Sequence, residues 1–262
     1  MMNQERISES ADIIWTTWKS SALIEALPEH CRPSNRKEAY AIQAEVARLS
    51  AQPLFGWKIA ATSTEGQEHI GVDGPLAGRL LAGRVLESGA QLVLGHNLMK
   101  VAEAEFAFRI GQSLPPRAEN YSMEEVLAAV ETLHPAIEIP DSRYTDFATV
   151  GAPQLIADNA CACWFIIGPE TKADWRKYDL SKHAVTAWRN DELAARGVGA
   201  NVLGDPRLAL TWIANELRNQ GSGLEAGKTV TTGTCVVPQA IASGETIRAD
   251  FGDFGSVVVE LK

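Results

Sequence analysis

Glu103 and Glu105 lie two residues apart in VAEAEFAF, and Glu138 follows in HPAIEIPDSR. Side chains along a β-strand alternate between its two faces. Ala102, Ala104, Phe106 and Phe108 therefore share one face of the first segment, and the two glutamates share the other with Val101 and Ala107. Neighbouring carboxylates on one face repel each other unless something neutralises them. A divalent cation does so most directly, because hard ions such as Mg²⁺ and Mn²⁺ prefer carboxylate oxygens; a solvated outer strand face is the alternative. Glu138 stands between Ile137 and Ile139 and shares its face with Ala136 and Pro140. Three carboxylates on two strands, with water or substrate completing the shell, would make an octahedral Mg²⁺ or Mn²⁺ site. Lys58, between Trp57 and Ile59, sits in an apolar run where an unpaired ammonium is costly. It either pairs with an acid or serves as a proton donor with a tuned pKa, unless it snorkels from a strand edge.

The elements that must position these groups read as α+β. Residues 6–26 carry Ile13, Ile14, Trp18 and Ile24 at helical intervals, and residues 35–50 give a second helix capped by Ser34 or Asn35. After Pro53 short β-like runs take over: GWKIAAT, RVLESGAQLVL and EAEFAFRIG. A helix is expected at about 122–133, a strand through PAIEIPDS, and an apolar strand pair over 154–168 with Cys161 and Cys163 on one buried face. Two more strands are expected over 178–190 and 192–203, around a turn at Asn190-Asp191. DPRLALTWIANELRNQG has Asp205 as N-cap, Pro206 at the first helical position and Gly221 beyond the end. The Gly- and β-branched-rich tail reads as strands, with a hairpin turn at Gly252–Gly255. The expected organisation is a helical N-terminal segment over 1–52 and a strand-rich domain over 53–262.

Composition narrows the function. A chain of 262 residues with 45% hydrophobic and 22% charged residues can build an ample core. Its net charge of −9 argues against nucleic acid as a partner, but not against small anions, since a bound metal reverses the local field. No apolar run approaches the roughly 20 residues of a membrane span. MMNQERISESADIIW lacks the basic-then-apolar order of a signal peptide, so a cytoplasmic protein without membrane attachment is expected. Cys31, Cys161, Cys163 and Cys235 fit reduced thiols, and the C-x-C has no second pair at zinc spacing.

The segments GWKIAATS, EAEFAF, HPAIEIPDSRYTDF, LIADNA, NVLGDPRLALTWIANEL and GKTVTTGTCVVPQAIASGETIRADFGDFGSVVVEL occur in this order over about residues 50–262. In them the chain resembles the fumarylacetoacetate hydrolase superfamily, in its branch of 2-keto-4-pentenoate hydratases and 4-oxalocrotonate decarboxylases. The resemblance implies a mixed β core with flanking helices, a homo-oligomer, metal ligands at Glu103, Glu105 and Glu138, and a functional lysine at Lys58. In one place the chain departs from the pattern. Hydratases of this branch carry Pro-Asp-Tyr-Gly or a similar segment whose acid is a candidate general base; here GVDGPLAGRLL puts Leu76 at that position. Asp73 is the nearby acid that could contribute. Arg79 could bind a substrate carboxylate bidentately or be solvated. Asn159, Thr232 and Thr234, with Thr231 and Gly233, are further candidates for holding substrate, against readings as a structural amide and an ordinary turn. Asp141, Ser142 and Arg143 either orient a ligand or form a turn with an ion pair; His134 reads as structural.

The implied substrate is a 2-oxo or 2-hydroxydienoate acid that chelates the metal through its carboxylate and 2-oxygen. A hydratase would add water to the tautomerised dienoate. A 4-oxalocrotonate-type decarboxylase would use the same charge stabilisation without a water-activating base, and a C–C bond hydrolase of a 2-oxo acid is a further alternative. An inactive binding or assembly homologue is the non-enzymatic one, against which Glu103, Glu105, Glu138 and Lys58 argue.

Overall fold

The computed structural model describes residues 2–262. Two helices, α1 (Gln4–Ser20) and α2 (Arg36–Ser50), come first. β1 (Leu54–Ala60), α3 (Thr64–His69), β2 (Leu76–Leu81), β3 (Val85–Glu87), β4 (Ala90–Leu92) and β5 (Val101–Ile110) follow. Then come α4 (Met123–Ala128), β6 (Val130–Ile139), α5 (Ala152–Ala157), β7 (Trp164–Ile167), β8 (Ala184–Arg189) and β9 (Glu192–Val198). α6 (Pro206–Asn219), β10 (Thr229–Thr234), β11 (Gln239–Ala240), β12 (Thr246–Asp250) and β13 (Ser256–Leu261) complete the chain.

The strands form an eight-stranded sheet, ordered β2-β1-β10-β5-β6-β7-β3 with β11 also on β5, and a five-stranded sheet, β4-β13-β12-β8-β9. β1–β10, β3–β7 and β4–β13 are parallel and the other pairs antiparallel. The α+β expectation of a mixed core with flanking helices is met. RVLESGAQLVL divides between the sheets, β3 going to one and β4 to the other, so this short segment stitches them together. Ala102, Ala104, Phe106 and Phe108 lie in the main core on one face of β5, as alternation requires. α1 and α2 build a second core around Ile14, Trp18, Ile42 and Val46, joined by Leu81, Tyr144 and Ala157 from later in the chain.

Local signals set many of the ends. Asn35 caps α2, its side chain accepting from the Glu38 amide at 3.0 Å. Asp205 caps α6 with Pro206 behind it. Asn190 and Asp191 both take left-handed backbone angles (φ 50° and 64°) in the two-residue β8–β9 turn, the geometry such hairpins favour. Gly252–Phe254 turns β12 into β13.

Three expectations are corrected. The first helix stops at Ser20, where Ser21 adopts φ 53°, and Ile24 instead bridges Tyr144. The helix expected to 133 ends at Ala128, because Val130 already belongs to β6 and hydrogen-bonds across the sheet. The apolar stretch 154–168 is not a strand pair. Pro153 opens α5, the chain then makes a left-handed turn at Asn159–Cys161, and only Trp164–Ile167 is strand. Cys161 and Cys163 therefore share no strand; the first is buried in the turn and the second lies half-buried before β7. A short apolar run cannot by periodicity alone distinguish a buried helix from a buried strand.

Candidate active site

The register of the large sheet brings the sequence-predicted acids and lysine to one face. Glu103 pairs with Glu138 across β5–β6, and Glu105 pairs with Ala136. Lys58 on β1 pairs with Thr231 on β10, which pairs with Ala107 on β5. One carboxylate oxygen from each of Glu103, Glu105 and Glu138 lies within 4.8 Å of the others. Glu105 and Glu138 are fully buried, and Glu103 is half-buried on the wall of a cavity.

Lys58 is buried and its Nζ lies 3.0 Å from Glu138 Oε1 and donates to the Ala160 carbonyl at 3.1 Å. That carbonyl is presented by the left-handed turn, in which Asn159, Ala160 and Cys161 take φ of 57°, 50° and 60°. Such angles in consecutive non-glycine residues are strained and need outside support. Asn159 supplies it: its Oδ1 accepts from the Arg79 amide at 2.7 Å and its Nδ2 donates to the Arg79 carbonyl at 2.8 Å. Gly78, opposite Lys58, leaves room for this arrangement; a Cβ there would stand 2.4 Å from the Asn159 carbonyl and 3.0 Å from the lysine stem.

Glu105 Oε2 accepts from Thr231 Oγ1 and, at 2.9 Å, from the Gly233 amide. The ladder between β10 and β5 is irregular between Thr231 and Thr234. Gly233 has φ 105° there, and a Cβ would collide with Thr62. Only glycine lets the backbone turn its N–H onto the carboxylate at this point.

The charges in this cluster are unbalanced. Burial raises the pKa of Glu105 well above the usual carboxylate range, and the neighbouring Glu138 and Glu103 add to the rise. Burial also raises Glu138 and Glu103, opposed in both by Lys58. For Lys58 burial works against the charged form, but Glu138, Glu103 and Glu105 outweigh it and hold the ammonium protonated. Glu105 Oε1 and Glu138 Oε2 are buried and accept no hydrogen bond among the described residues. A buried carboxylate oxygen without a donor is costly. An all-oxygen donor set with orphaned lone pairs and an excess of negative charge fits a hard divalent cation.

The cavity holds about 550 Å³ and is lined by Lys58, Glu103 and Thr234 beside Leu76, Phe147, Leu155 and Val236. Other sequence candidates lie elsewhere. Asp73 is outside the cavity, its side chain 87% exposed and bonded to Arg36 at 2.8 Å. Arg79 pairs with Trp57 in the ladder, which places it on the sheet face opposite Lys58, stacked 4.6 Å from the Trp57 ring and bonded to Gln43. Asn159 braces β2 as described. Thr232 is buried and donates to the Phe106 carbonyl at 3.1 Å. Thr234 reaches the cavity but donates to the Val236 carbonyl at 2.7 Å. Arg143 forms a buried ion pair with Asp158, and His134 bridges Thr132 and the Gly168 carbonyl. Sequence reasoning missed the Ala160 carbonyl, for which no side-chain signal exists, and Phe147 and His69, which line the cavity from a loop and from α3.

An acidic triad and a buried lysine on the wall of an apolar cavity, carried by a mixed sheet, define an enzyme site for a small organic substrate. The chain belongs to the fumarylacetoacetate hydrolase family: the fumarylacetoacetate (FAA) hydrolase C-terminal family matches residues 81–262. It is similar to a 2-keto-4-pentenoate hydratase of Burkholderia vietnamiensis (strain G4 / LMG 22486), 30% identical over 98% of each chain. A 4-oxalocrotonate decarboxylase of Pseudomonas sp. is 32% identical over 77% of this chain and 76% of its own. In three dimensions the chain resembles 4-oxalocrotonate decarboxylase from Pseudomonas putida G7 complexed with magnesium and adipate, at a TM-score of 0.90 and 25% identity, over 100% of this chain and 99% of that one.

Proposed function

We propose that the chain is a divalent-metal-dependent hydratase that adds water to a 2-hydroxy-2,4-dienoate of the 2-keto-4-pentenoate type, giving a 4-hydroxy-2-oxo acid in aromatic catabolism. The carrying observation is the triad with its orphaned oxygens beside Lys58; similarity to a hydratase over 98% of the chain supports the same reading.

Glu103, Glu105 and Glu138 are assigned to hold Mg²⁺ or Mn²⁺. The cation, when bound, supplies the positive charge that binds the substrate's carboxylate and 2-oxygen and favours negative charge developing on that oxygen. Thr231 and Gly233 hold Glu105 by Oε2, which leaves Oε1 for the ion. Lys58 lies 3.0 Å from Glu138 and donates from Nζ to the Ala160 carbonyl, so it is placed to contribute positive charge and a hydrogen-bond donor beside the triad. The apolar walls at Leu76, Phe147 and Leu155 restrict bulk water around the reacting carbons.

Leu76 on that wall favours a second reading, decarboxylation of a 4-oxalocrotonate-type acid, which needs no water-activating base. An ultraviolet assay with 2-hydroxypenta-2,4-dienoate and with 4-oxalocrotonate, each with Mg²⁺, separates the two. Loss of the dienol without CO₂ release is expected; CO₂ release from the second substrate alone makes the chain a decarboxylase, and inertness to both overturns the proposal.

The same reading takes residues 1–52 as a helical segment on a catalytic domain over 53–262, in a cytoplasmic homo-oligomer without membrane or nucleic-acid partners. In support, no described helix is long and apolar enough to cross a membrane, and the net charge is −9.

A further inference from the structure

A second cavity, of about 150 Å³, lies where the end of α1, the helical turn Ala82–Arg84 and the start of β7 meet the loop at 93–97. One layer of chain divides it from the cavity beside the triad. Asn97, Asp141 and Cys163 line the small one, whereas Met99, Pro140 and Cys161 line the large one. The titratable groups on the small wall are Arg84, His96, Asp141, Arg143 and Cys163. Arg143 is matched by Asp158, and Asp141 Oδ1 accepts from the Leu98 amide at 2.7 Å. Arg84 is matched by nothing: among the described residues its guanidinium makes no hydrogen bond and no ion pair. It lies instead over two indole rings, 4.5 Å from the centroid of Trp164 and 5.6 Å from that of Trp18. Stacking occupies the faces of a guanidinium and leaves its N–H groups, which lie in its plane, open to an acceptor. The end of α1 does not use them, because the Ala22 amide donates to the Thr17 carbonyl at 3.2 Å and the Ser21 amide to the Trp18 carbonyl at 3.3 Å. The Thr17 and Ser21 hydroxyls on this wall are equally unengaged. Leu23 and Val93, 43% and 72% exposed, add hydrocarbon to the wall.

The geometry points to a second binding site, for a short-chain monocarboxylate whose carboxylate is held by Arg84 and whose alkyl end rests against Leu23 and Val93. A carboxylate and a guanidinium fork match through two parallel N–H···O bonds. At roughly 30 Å³ for each water-sized group, the cavity takes about five non-hydrogen atoms, the size of propanoate. Asp141 limits the charge of the ligand: a single carboxylate is met by Arg84, whereas a doubly charged phosphate would bring its second charge against that acid. The site shares no lining residue with the triad, so its occupancy does not require Mg²⁺.

The test is titration of the full chain with propanoate and with inorganic phosphate at constant ionic strength, each with and without Mg²⁺. Tryptophan fluorescence follows it, since Trp18 and Trp164 lie against the guanidinium, and calorimetry covers binding that leaves the fluorescence unchanged. Propanoate is expected to saturate at roughly millimolar concentration, equally with and without Mg²⁺, and several-fold more tightly than phosphate. Arg84→Gln should weaken it at least tenfold. Arg84→Lys, which keeps the charge and loses the fork, should weaken it several-fold. Binding that appears only with Mg²⁺ places the acid at the triad and overturns the site. Equal affinity in the native protein and both Arg84 variants overturns it too, as does tighter binding of phosphate or no saturable binding by either method.

Discussion

Two charge clusters are buried among the described residues, and they are built to opposite specifications. Around Arg143, each guanidinium nitrogen meets an acceptor. Its Nε and its backbone amide reach the Asp158 carboxylate, Nη2 reaches the Asp158 carbonyl, and Ser142 Oγ donates to Asp158 Oδ2 at 2.8 Å. The Trp18 ring covers the guanidinium at 4.4 Å. Around Lys58, one cation faces three carboxylates, and two carboxylate oxygens have no donor. Burial alone therefore does not mark a functional site. A saturated cluster holds the fold, whereas an unsaturated one facing a cavity is held by the fold for a ligand.

The contrast can be broken most forcefully at the triad. Glu105→Ala or Glu138→Ala is expected to abolish calorimetric Mg²⁺ binding and to lower kcat by more than the roughly 10–100-fold that loss of an outer partner costs a metal site. Unchanged Mg²⁺ affinity in both would place the ion elsewhere.

The Arg143 cluster should fail in stability instead. Arg143→Ala leaves Asp158 buried without its cation and is expected to cost about 3–5 kcal/mol in urea unfolding. Asn159→Ala comes next, at about 1–3 kcal/mol, because it removes both bonds to the Arg79 backbone; kcat should fall with it, since the carbonyl that holds Lys58 loses its brace. Stability loss with kcat intact would separate the turn from the site.

Glu105→Gln should behave unlike either. It removes a buried charge with an orphaned oxygen while keeping an acceptor for Gly233, so metal-free stability should stay within about 0.5 kcal/mol of native or rise. A fall as large as that of Arg143→Ala would erase the distinction between the clusters.

The smallest effect is expected away from both. Glu38 accepts from Ser34 by backbone and hydroxyl, which holds its pKa down at about 2. A carboxylate whose folded pKa lies below its ordinary 4.5 adds stability above that pH and loses it as pH falls towards 2. The stability gap between native protein and Glu38→Gln should thus close on acidification from pH 5, as followed by thermal unfolding; a constant gap would show that the charge contributes nothing.

The sequence carried the acids and the lysine well, because period-2 alternation is enough to put Glu103, Glu105 and Glu138 on one face. End signals were equally readable where a side chain makes them, as at Asn35, Asp205-Pro206 and Asn190-Asp191. What stayed hidden depends on the fold's long-range pairing. Arg79 is one residue from Gly78, and that single step puts it on the wrong face for the cavity. Asp73 is close to β2 in sequence but bonds Arg36 from α2 at the surface. The 154–168 stretch is apolar throughout, so neither its helix nor its left-handed turn leaves a periodic trace.

The left-handed turn joins parts of the chain that are far apart in sequence. Asp158, Asn159 and Ala160 are consecutive, yet they fasten Arg143, Arg79 and Lys58, of which the last two lie about 80 and 102 positions away along the chain. Its strained angles are held by these fastenings together, so one short turn ties the lysine of the site to β2 and to the buried ion pair.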